Sequence, residues 1–211
     1  MNPLRQLQHF LWYLSALGVA GYAAVAYGFL PLGSLVHPEM REAFLAEPWG
    51  IYAHVFASAV ALALGPFQLS PKLRQRSIRW HRRLGRVYLV GVLIGGVAGL
   101  IIARNAFGGM VSTAGFSGLA IAWLGTGASA YLAIRRGDVA SHRRYMVRNV
   151  ALTFAAVTLR IGLGVFGGVL RLPFEVYYPL LSWACWVPNL ILAELWLQRH
   201  PQEPRDWALA G

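Results

Sequence analysis

Six long apolar runs constrain the fold of this 211-residue chain more than any other feature of its sequence. An apolar stretch of about 20 residues is long enough for an α-helix to cross the hydrocarbon core of a bilayer. Backbone groups in lipid must bond within their own segment, and the alternation typical of a transmembrane barrel strand is absent. The sequence therefore predicts one all-α transmembrane domain, a polytopic helical bundle over residues 1–211. The predicted membrane spans are residues 10–32, 49–69, 87–107, 113–134, 149–170 and 176–198.

The composition agrees with burial in lipid, since hydrophobic residues make up 57% of the chain and charged residues 13%. A soluble domain carries about 25% charged residues, so this chain lacks the side chains to cover a water-facing surface. The net charge of +11 would suit nucleic acid, but the charges lie in short loops that would face anionic lipid headgroups instead. We therefore expect membrane lipids, and not nucleic acid, as partners.

The basic residues are distributed unevenly between the two sides of the predicted bundle, with fifteen on one side and three on the other. The side richer in Lys and Arg is normally cytoplasmic, so both ends of the chain are predicted to lie inside, in a bacterial inner membrane. The fifteen are Arg5, Lys72, Arg74, Arg76, Arg79, Arg82, Arg83, Arg86, Arg135, Arg136, Arg143, Arg144, Arg148, Arg199 and Arg205. The three are Arg41, Arg104 and Arg171.

The first run also contains Ala24-Val25-Ala26, which resembles the cleavage site of a secretory signal. Its apolar core is longer than the hydrophobic region of most signals, which favours an uncleaved anchor. Its removal would leave the orientation of the other runs unchanged.

A short motif recurs at a spacing of 61 residues. His81-Arg82-Arg83 opens the third helix, and His142-Arg143-Arg144 opens the fifth. Each motif follows a helix that returns to the basic side. The second and third runs and the fourth and fifth runs are therefore interpreted as two copies of one hairpin, which predicts a four-helix core with one flanking helix at each end.

Arg160 lies about 18 Å from the cytoplasmic end of the fifth predicted run, at the usual helical rise. An arginine at that depth is costly against lipid, so it should face the bundle interior or a cavity. His54 lies near the outer end of the second run, and Arg104 ends the third on the same side. These residues predict a shared ligand pocket in the outer half. The alternative is that Arg160 bonds helix carbonyls, His54 makes a local polar contact and Arg104 extends to the interface.

Two glycine patterns allow different interpretations. Gly91, Gly95 and Gly99 form a stripe on one helix face, which favours close helix packing or a groove that admits a flat ligand. The pattern from Gly162 to Gly167 imitates a dinucleotide-binding loop, but it lies inside an apolar helix whose amides are already bonded, so it predicts no such site.

His81 and His142 should lie at matching depth on the basic rim. Two facing imidazoles could ligate the iron of haem b or a divalent metal ion. The adjoining arginines, Arg82, Arg83, Arg143 and Arg144, would suit propionate or phosphate oxygens. The alternative is contact of the whole rim with anionic lipid headgroups. Glu194, near the inner end of the sixth run, should pair with a rim arginine; a proton relay is the second interpretation.

Several of these segments together resemble the bacterial membrane-protein family called domain of unknown function 2306. The resemblance implies a multi-helix membrane domain and no established activity, and it covers about residues 50 to 165. The matching segments, in order, are His54, Leu64-Gly65-Pro66-Phe67-Gln68, His81-Arg82-Arg83-Leu84-Gly85-Arg86-Val87-Tyr88, Gly115-Phe116, Ala122-Trp123-Leu124, Arg135-Arg136-Gly137-Asp138, His142-Arg143-Arg144-Tyr145-Met146-Val147-Arg148-Asn149 and Ala156-Val157-Thr158-Leu159-Arg160.

The layout also loosely resembles haem b cytochromes that hold haem within a four-helix membrane core. Those proteins pair histidines at each haem level, whereas this chain has one deep histidine, His54. Two haems are therefore not expected, and a single haem through His81 and His142 stays as an analogy from architecture.

Three functions remain open from the sequence. The first is binding of an anionic small molecule, a quinone or a lipid headgroup through the buried arginine and histidine residues. The second is a membrane redox protein with haem b or quinone near the histidine pair. The third is a structural or assembly subunit, as a homo-oligomer or in a larger membrane complex, with glycine faces that dock a partner. Whether the protein is an enzyme, and with which catalytic residues, stays open.

Overall fold

The structure, a computed structural model, describes residues 3–200 and contains only helices and their connections in that range. Arg205 and the side chain of Arg5, both counted on the basic side, lie outside the described part. The α-helices are α1 (Pro3–Phe29), α2 (Pro38–Ala46), α3 (Pro48–Gln68), α4 (Pro71–Arg76), α5 (Ile78–Ala103), α6 (Gly109–Arg135), α7 (Val139–Thr153), α8 (Ala155–Gly162), α9 (Phe174–Ala184) and α10 (Val187–Arg199), and a π-helix covers Leu163–Val169.

Six helical segments within residues 3–200 are long and apolar enough to cross a membrane, which confirms the predicted all-α polytopic bundle. They are called spans 1 to 6 below. Their bounds are Gln6–Phe29, Pro48–Gln68, Ile78–Ala103, Gly109–Arg135, Val139–Val169 and Phe174–Arg199.

Spans 3 and 5 begin earlier than predicted, at Ile78 rather than 87 and at Val139 rather than 149. The arginine-rich segments were predicted as connections, yet they form the first turns of these helices. Arginine is a good helix former, and its long side chain can reach the interface from a helical backbone. His81 and His142 lie in the first turns of these helices, as the repeated motif predicts.

Side-chain caps fix both of these early starts. The Ser77 hydroxyl accepts a hydrogen bond from the backbone N–H of Trp80 before span 3. The Asp138 carboxylate accepts one from the backbone N–H of Ser141 before span 5. That N–H also lowers the pKa of Asp138 below its usual range. Each cap satisfies a backbone donor that the first turn leaves unpaired.

Contacts between span ends show that neighbouring spans run in opposite directions. His54, near the start of span 2, bonds to Gly95 near the end of span 3. Tyr13, near the start of span 1, bonds to Pro66 near the end of span 2. The connections 69–77 and 136–138 therefore lie at one end of the bundle, called the basic end. The segments 30–47, 104–108 and 170–173 lie at the other, called the outer end.

Spans 2 to 5 form the centre of the bundle, as the internal repeat predicts. One buried apolar cluster draws residues from all four, including Ala61, Tyr88, Trp123 and Val150. Trp12 of span 1 and two residues of span 6, Trp186 and Leu190, pack against this cluster.

The helical backbone is irregular in spans 5 and 6. Span 5 has a turn at Phe154 and changes to a π-helix at Leu163. Span 6 is divided between α9 and α10 at Cys185 and Trp186. The turn at Phe154 follows residues that line the cavity described next, and Cys185 lines the cavity itself.

Candidate functional site

A cavity of about 350 Å³ lies in the outer half of the bundle and receives residues from all six spans. Cavities that hold small organic ligands measure about 300–1,000 Å³ and are mostly apolar, with few polar groups. Its floor is formed by Trp123 and Thr153, and its sides include Phe116 and Leu159. The volume and lining therefore suit a small, largely apolar molecule.

The outer end of the cavity is covered by α2 and the segments on either side of it. Leu35, Met40 and Phe44 line the cavity from above. The ring of His37 stacks on Phe174 of span 6, with centroids 3.9 Å apart. This contact ties the covering segment to the bundle.

Three polar side chains lie together on the cavity wall: His54 and Ser58 of span 2 and Arg160 of span 5. The same three residues line a smaller pocket of about 60 Å³ that is bounded by spans 1, 2 and 5. They therefore stand at the boundary between two open volumes, which makes this trio the candidate site.

The glycine stripe of span 3 makes room for this trio. The His54 Nδ1 atom lies 2.8 Å from the carbonyl oxygen of Gly95. A Cβ at Gly95 would lie 2.7 Å from the Ser58 hydroxyl, and one at Gly99 would lie 3.1 Å from the His54 ring. Gly91 serves packing instead, because a Cβ there would lie 2.8 Å from the Ala57 carbonyl of span 2. All three glycines are buried and allow close contacts within the protein, which agrees with the packing interpretation; a flat ligand in the groove stays a prediction.

The hydrogen bond of His54 fixes what its ring offers to a ligand. A carbonyl oxygen only accepts, so Nδ1 carries the proton that it donates to Gly95. In the neutral ring, Nε2 is then an acceptor, and it has no hydrogen-bond partner among the described residues. Close by, the Ser58 hydroxyl is buried and has no partner in the same part of the chain.

Arg160 faces the cavity with most of its donors unused. Its Nη1 donates to the Ala156 carbonyl one turn earlier, at 2.9 Å. Its guanidinium also lies over the ring of Tyr22, 5.8 Å from the centroid. No carboxylate within residues 3–200 pairs with it, although Glu47 lines the same cavity. A guanidinium has five N–H donors, so several remain for a ligand.

Arg104 does not join this site. Its side chain is exposed, and its Nε donates to the Ile101 carbonyl at 3.2 Å. A cation at the end of a helix stabilises the unpaired carbonyls there, which explains this outward course. The contacts of His54, Arg104 and Arg160 with backbone carbonyls agree with the alternative interpretation of these residues. A ligand pocket that uses His54 and Arg160, to which the structure adds Ser58 and not Arg104, stays a prediction. The four-residue spacing of His54 and Ser58 was the signal that could have revealed the serine.

A buried polar network beneath the cavity was not predicted from the sequence. The Tyr88 hydroxyl donates to Asn149 Oδ1 at 2.6 Å, and the Trp123 indole donates to the Thr153 hydroxyl at 2.8 Å. The Asn149 amide donates in turn to the Trp123 carbonyl at 2.7 Å and to the Thr126 hydroxyl at 2.8 Å. This network joins spans 3, 4 and 5 in the core.

The basic end holds the other candidate residues. His142 Nδ1 donates to the Ala130 carbonyl at 2.9 Å, whereas His81 Nδ1 is buried with no partner among the described residues. The two rings are close enough to interact electrostatically. No group of three potential metal ligands of the His, Cys, Asp or Glu type occurs in the described range, and neither ring lines the cavity.

The rim arginines have different environments. Arg82, Arg83 and Arg144 are exposed, and Arg83 lies over the Trp80 ring at 5.4 Å; Arg143 is half-buried. Glu194 forms the expected ion pair with a rim arginine, Arg148, through two hydrogen bonds, of which Nη2–Oε2 measures 2.8 Å. This pair leaves the Glu194 carboxylate engaged within the protein.

Residues 51–197 match the family described as Predicted membrane protein (DUF2306). Because this match covers more than half of the chain, the protein belongs to that family. The matched region extends the resemblance seen in the sequence through span 6 and includes His54, His81, His142, Arg160 and Glu194. None of the curated proteins and none of the solved structures matches the chain.

Proposed function

We propose that this family member binds a small, largely apolar molecule that carries a carboxylate or carbonyl group, with Arg160, His54 and Ser58 as its polar contacts. The observation that carries the proposal is Arg160, which lines the cavity and has no ion pair within residues 3–200. A ligand oxygen would provide the acceptor that the protein does not.

The cost of holding Arg160 supports this proposal. Insertion scales assign about 2.5–3.5 kcal/mol to an arginine at the centre of a membrane helix. One carbonyl and one aromatic ring offset part of that cost. A carboxylate would bind the guanidinium through two parallel hydrogen bonds, which are stronger than neutral ones.

The other two polar groups define the rest of the ligand's head. The neutral His54 ring presents an acceptor, Nε2, and Ser58 presents a hydroxyl that can donate or accept. A molecule with an oxygen acceptor for Arg160 and a neighbouring hydroxyl that donates to His54 would satisfy all three residues, which fits a protonated carboxylic acid or a quinol; an ionised carboxylate or a quinone would accept from Arg160 and Ser58 only. The apolar walls would hold its body.

The irregular helices support binding at this level. Interrupted membrane helices expose backbone groups and are tolerated where they line a cavity, and π-helical turns are frequent at functional sites. Span 5 is irregular on both sides of Arg160, at Phe154 and from Leu163.

The orientation of the helical bundle in the membrane is part of the same proposal. The excess of basic residues at one end supports a cytoplasmic basic end, with the cavity in the opposite half of a bacterial inner membrane. Single cysteines at Gln75 and Asn105, in a Cys185→Ser background, test it with a membrane-impermeant maleimide. We expect labelling of intact cells at residue 105 and not at residue 75; the reverse pattern would overturn the orientation.

Replacement of Arg160 by Leu tests the binding site. Octanoate and decylubiquinone serve as the carboxylate and quinone probes, and the measurement is the shift in apparent melting temperature of the detergent-solubilised protein. A ligand at 100 times its dissociation constant stabilises a protein by about 2.7 kcal/mol. We expect at least one probe to stabilise the wild type by about this free energy, seen as a rise in its apparent melting temperature, and neither probe to stabilise Arg160→Leu.

Arg104→Leu is the matched control, because it removes an arginine at the same end that lies outside the cavity. It should keep the full ligand response. Glu47→Gln should keep or increase the response to octanoate, since it removes a like charge from the cavity lining. Equal responses of the wild type and Arg160→Leu would remove the proposed site.

A further inference from the structure

We infer a second binding site, for a phosphate-type oxyanion, at the basic end between spans 2 and 3, formed by Gln68 and His81 with Arg74 and Arg82 around them. It does not depend on the cavity, which lies in the other half of the bundle. Two buried polar groups without partners and a surplus of positive charge meet at this place.

Gln68 is the last residue of span 2, and it is only 7% exposed. Its Oε1 lies 2.9 Å from the position that a Cβ would occupy at Gly85, so the side chain covers that glycine of span 3. The Nε2 atom is buried and has no hydrogen-bond partner in the described part of the chain. A buried amide donor without an acceptor is costly, and most native proteins avoid it.

His81 lies four residues before Gly85, on the same face of span 3 and about one helical turn closer to the basic end. Its Nδ1 is also buried and unpartnered within residues 3–200. The amide of Gln68 and the ring of His81 are therefore two buried, unpartnered nitrogen groups at neighbouring turns of span 3. An oxyanion with several oxygens can accept from both.

The second hairpin satisfies the equivalent histidine within the protein. His142, 61 residues after His81, donates to the backbone carbonyl of Ala130. The residue 61 positions before Ala130 is Leu69, and His81 forms no corresponding bond to it. The first hairpin therefore lacks the internal bond that occupies the same atom in the second.

The charges around His81 select an anion. Arg74 and Arg82 are exposed arginines at the basic end, and both lie close enough to His81 to act on it electrostatically. The carboxylates nearest this end within the described range are occupied, Asp138 as a helix cap and Glu194 in its pair with Arg148. Phosphate offers several strong acceptor oxygens and negative charge, which arginine-rich sites recognise.

The position of His81 along span 3 is compatible with two sources of the phosphate. His81 is the fourth residue of span 3, at the level where the headgroups of a bilayer begin. The oxyanion is therefore the phosphate of an anionic lipid or a free phosphate. The experiment below separates these sources.

The probes are dioleoylphosphatidylglycerol and inorganic phosphate, and the key variant is Gln68→Glu. This change keeps the size of the side chain but places a carboxylate where the oxyanion would lie, beside His81. Native mass spectrometry measures lipid binding, with dioleoylglycerol as the control without phosphate. Thermal unfolding measures the response to phosphate against chloride at equal ionic strength. We expect Gln68→Glu to weaken binding of the effective probe by about tenfold or more.

The controls separate a built site from general attraction to positive charge. Arg136→Gln removes an exposed arginine of the second hairpin and should change binding by less than about twofold. His81→Gln, which keeps a donor, should bind more tightly than His81→Leu, and this pair decides the question if Gln68→Glu does not fold. Binding of phosphatidylglycerol alone would identify a lipid headgroup, and a response to inorganic phosphate alone would identify the free ion. Failure of both probes, or equal binding by the wild type and the Gln68 and His81 variants, would overturn the inference; Arg160→Leu should not affect it.

Discussion

The two hairpins that form the core, spans 2–3 and spans 4–5, differ in how they use their polar residues. Within residues 3–200, four buried side-chain polar atoms have no partner, and three belong to the first hairpin: Ser58 Oγ, Gln68 Nε2 and His81 Nδ1. The fourth, Ser112 Oγ, lies near the outer end of span 4. In the second hairpin, Asn149, Thr126 and Thr153 bond to one another or to backbone carbonyls. Buried polar atoms without partners are therefore concentrated in the first hairpin, although Arg160 of the second hairpin also keeps donors that no described residue accepts.

Residues that are 61 positions apart, one in each hairpin, can be compared directly. Tyr88 and Asn149 stand at that spacing and bond to each other across the core. Gly95 and Ala156 do as well, and each carbonyl accepts from a site residue, His54 or Arg160. Equivalent positions thus carry related roles, with glycine in the first hairpin where space is needed.

Binding of haem b would contradict the difference between the hairpins most directly, because His81 and His142 would then be equivalent iron ligands. A bis-histidine haem needs both rings free to turn towards one iron, and the two rings differ in their bonds. We expect protein purified from haem-replete cells to lack a Soret band. A Soret band lost in both His81→Ala and His142→Ala would restore the redox hypothesis and remove the phosphate site.

The contact between the hairpins should be the most sensitive place for stability. Asn149→Leu removes the acceptor of Tyr88 and the donor to the Trp123 carbonyl, both in the buried core, and the donor to the half-buried Thr126. We expect a loss of about 2–4 kcal/mol in the free energy of unfolding, because several buried groups lose partners together. The measurement is reversible unfolding in detergent. Asn105→Leu, at an exposed position, is the control, and a loss as small as the control's would show that the network is not what joins the hairpins.

Adding a methyl group should distinguish the two hairpins directly. Gly95→Ala places a Cβ 2.7 Å from the Ser58 hydroxyl and 3.2 Å from Trp123, whereas a Cβ at Gly125 of span 4 would meet nothing within 4 Å. We expect Gly95→Ala to cost about 1–3 kcal/mol and to weaken the ligand response. Gly125→Ala should be neutral or slightly stabilising, since alanine favours helix. If both variants behave alike, the close approach at Gly95 is not a property of the site.

The sequence predicted the spans and the inward position of Arg160 because both follow from local properties, apolar length and the cost of a charge in lipid. It did not predict the contacts or roles of Ser58, Gln68 or Asn149. The roles of these residues depend mainly on partners far away in the chain. Asn149, for example, bonds to Tyr88 across 61 positions. The starts of spans 3 and 5 were misplaced because arginine both forms helix and marks the interface.

The smallest expected effect concerns the rim, where Glu194 of span 6 neutralises Arg148 of the second hairpin, and no carboxylate within residues 3–200 pairs with a rim arginine of the first. Glu194→Gln would leave Arg148 as unpaired as the arginines near His81. Since the Glu194 side chain is 39% exposed, we expect a loss of only about 0.5 kcal/mol, which should decrease further in high salt. The measurement is unfolding in detergent at two ionic strengths, with Glu175→Gln, at an exposed outer position, as the control. If Glu194→Gln also raises phosphatidylglycerol binding, an unpaired rim arginine is sufficient to attract the lipid. The selectivity of the buried groups in the first hairpin would then be tested by comparing the binding of phosphatidylglycerol with that of dioleoylglycerol. If binding stays unchanged, free charge alone is not enough, and the difference between the hairpins lies in Gln68 and His81.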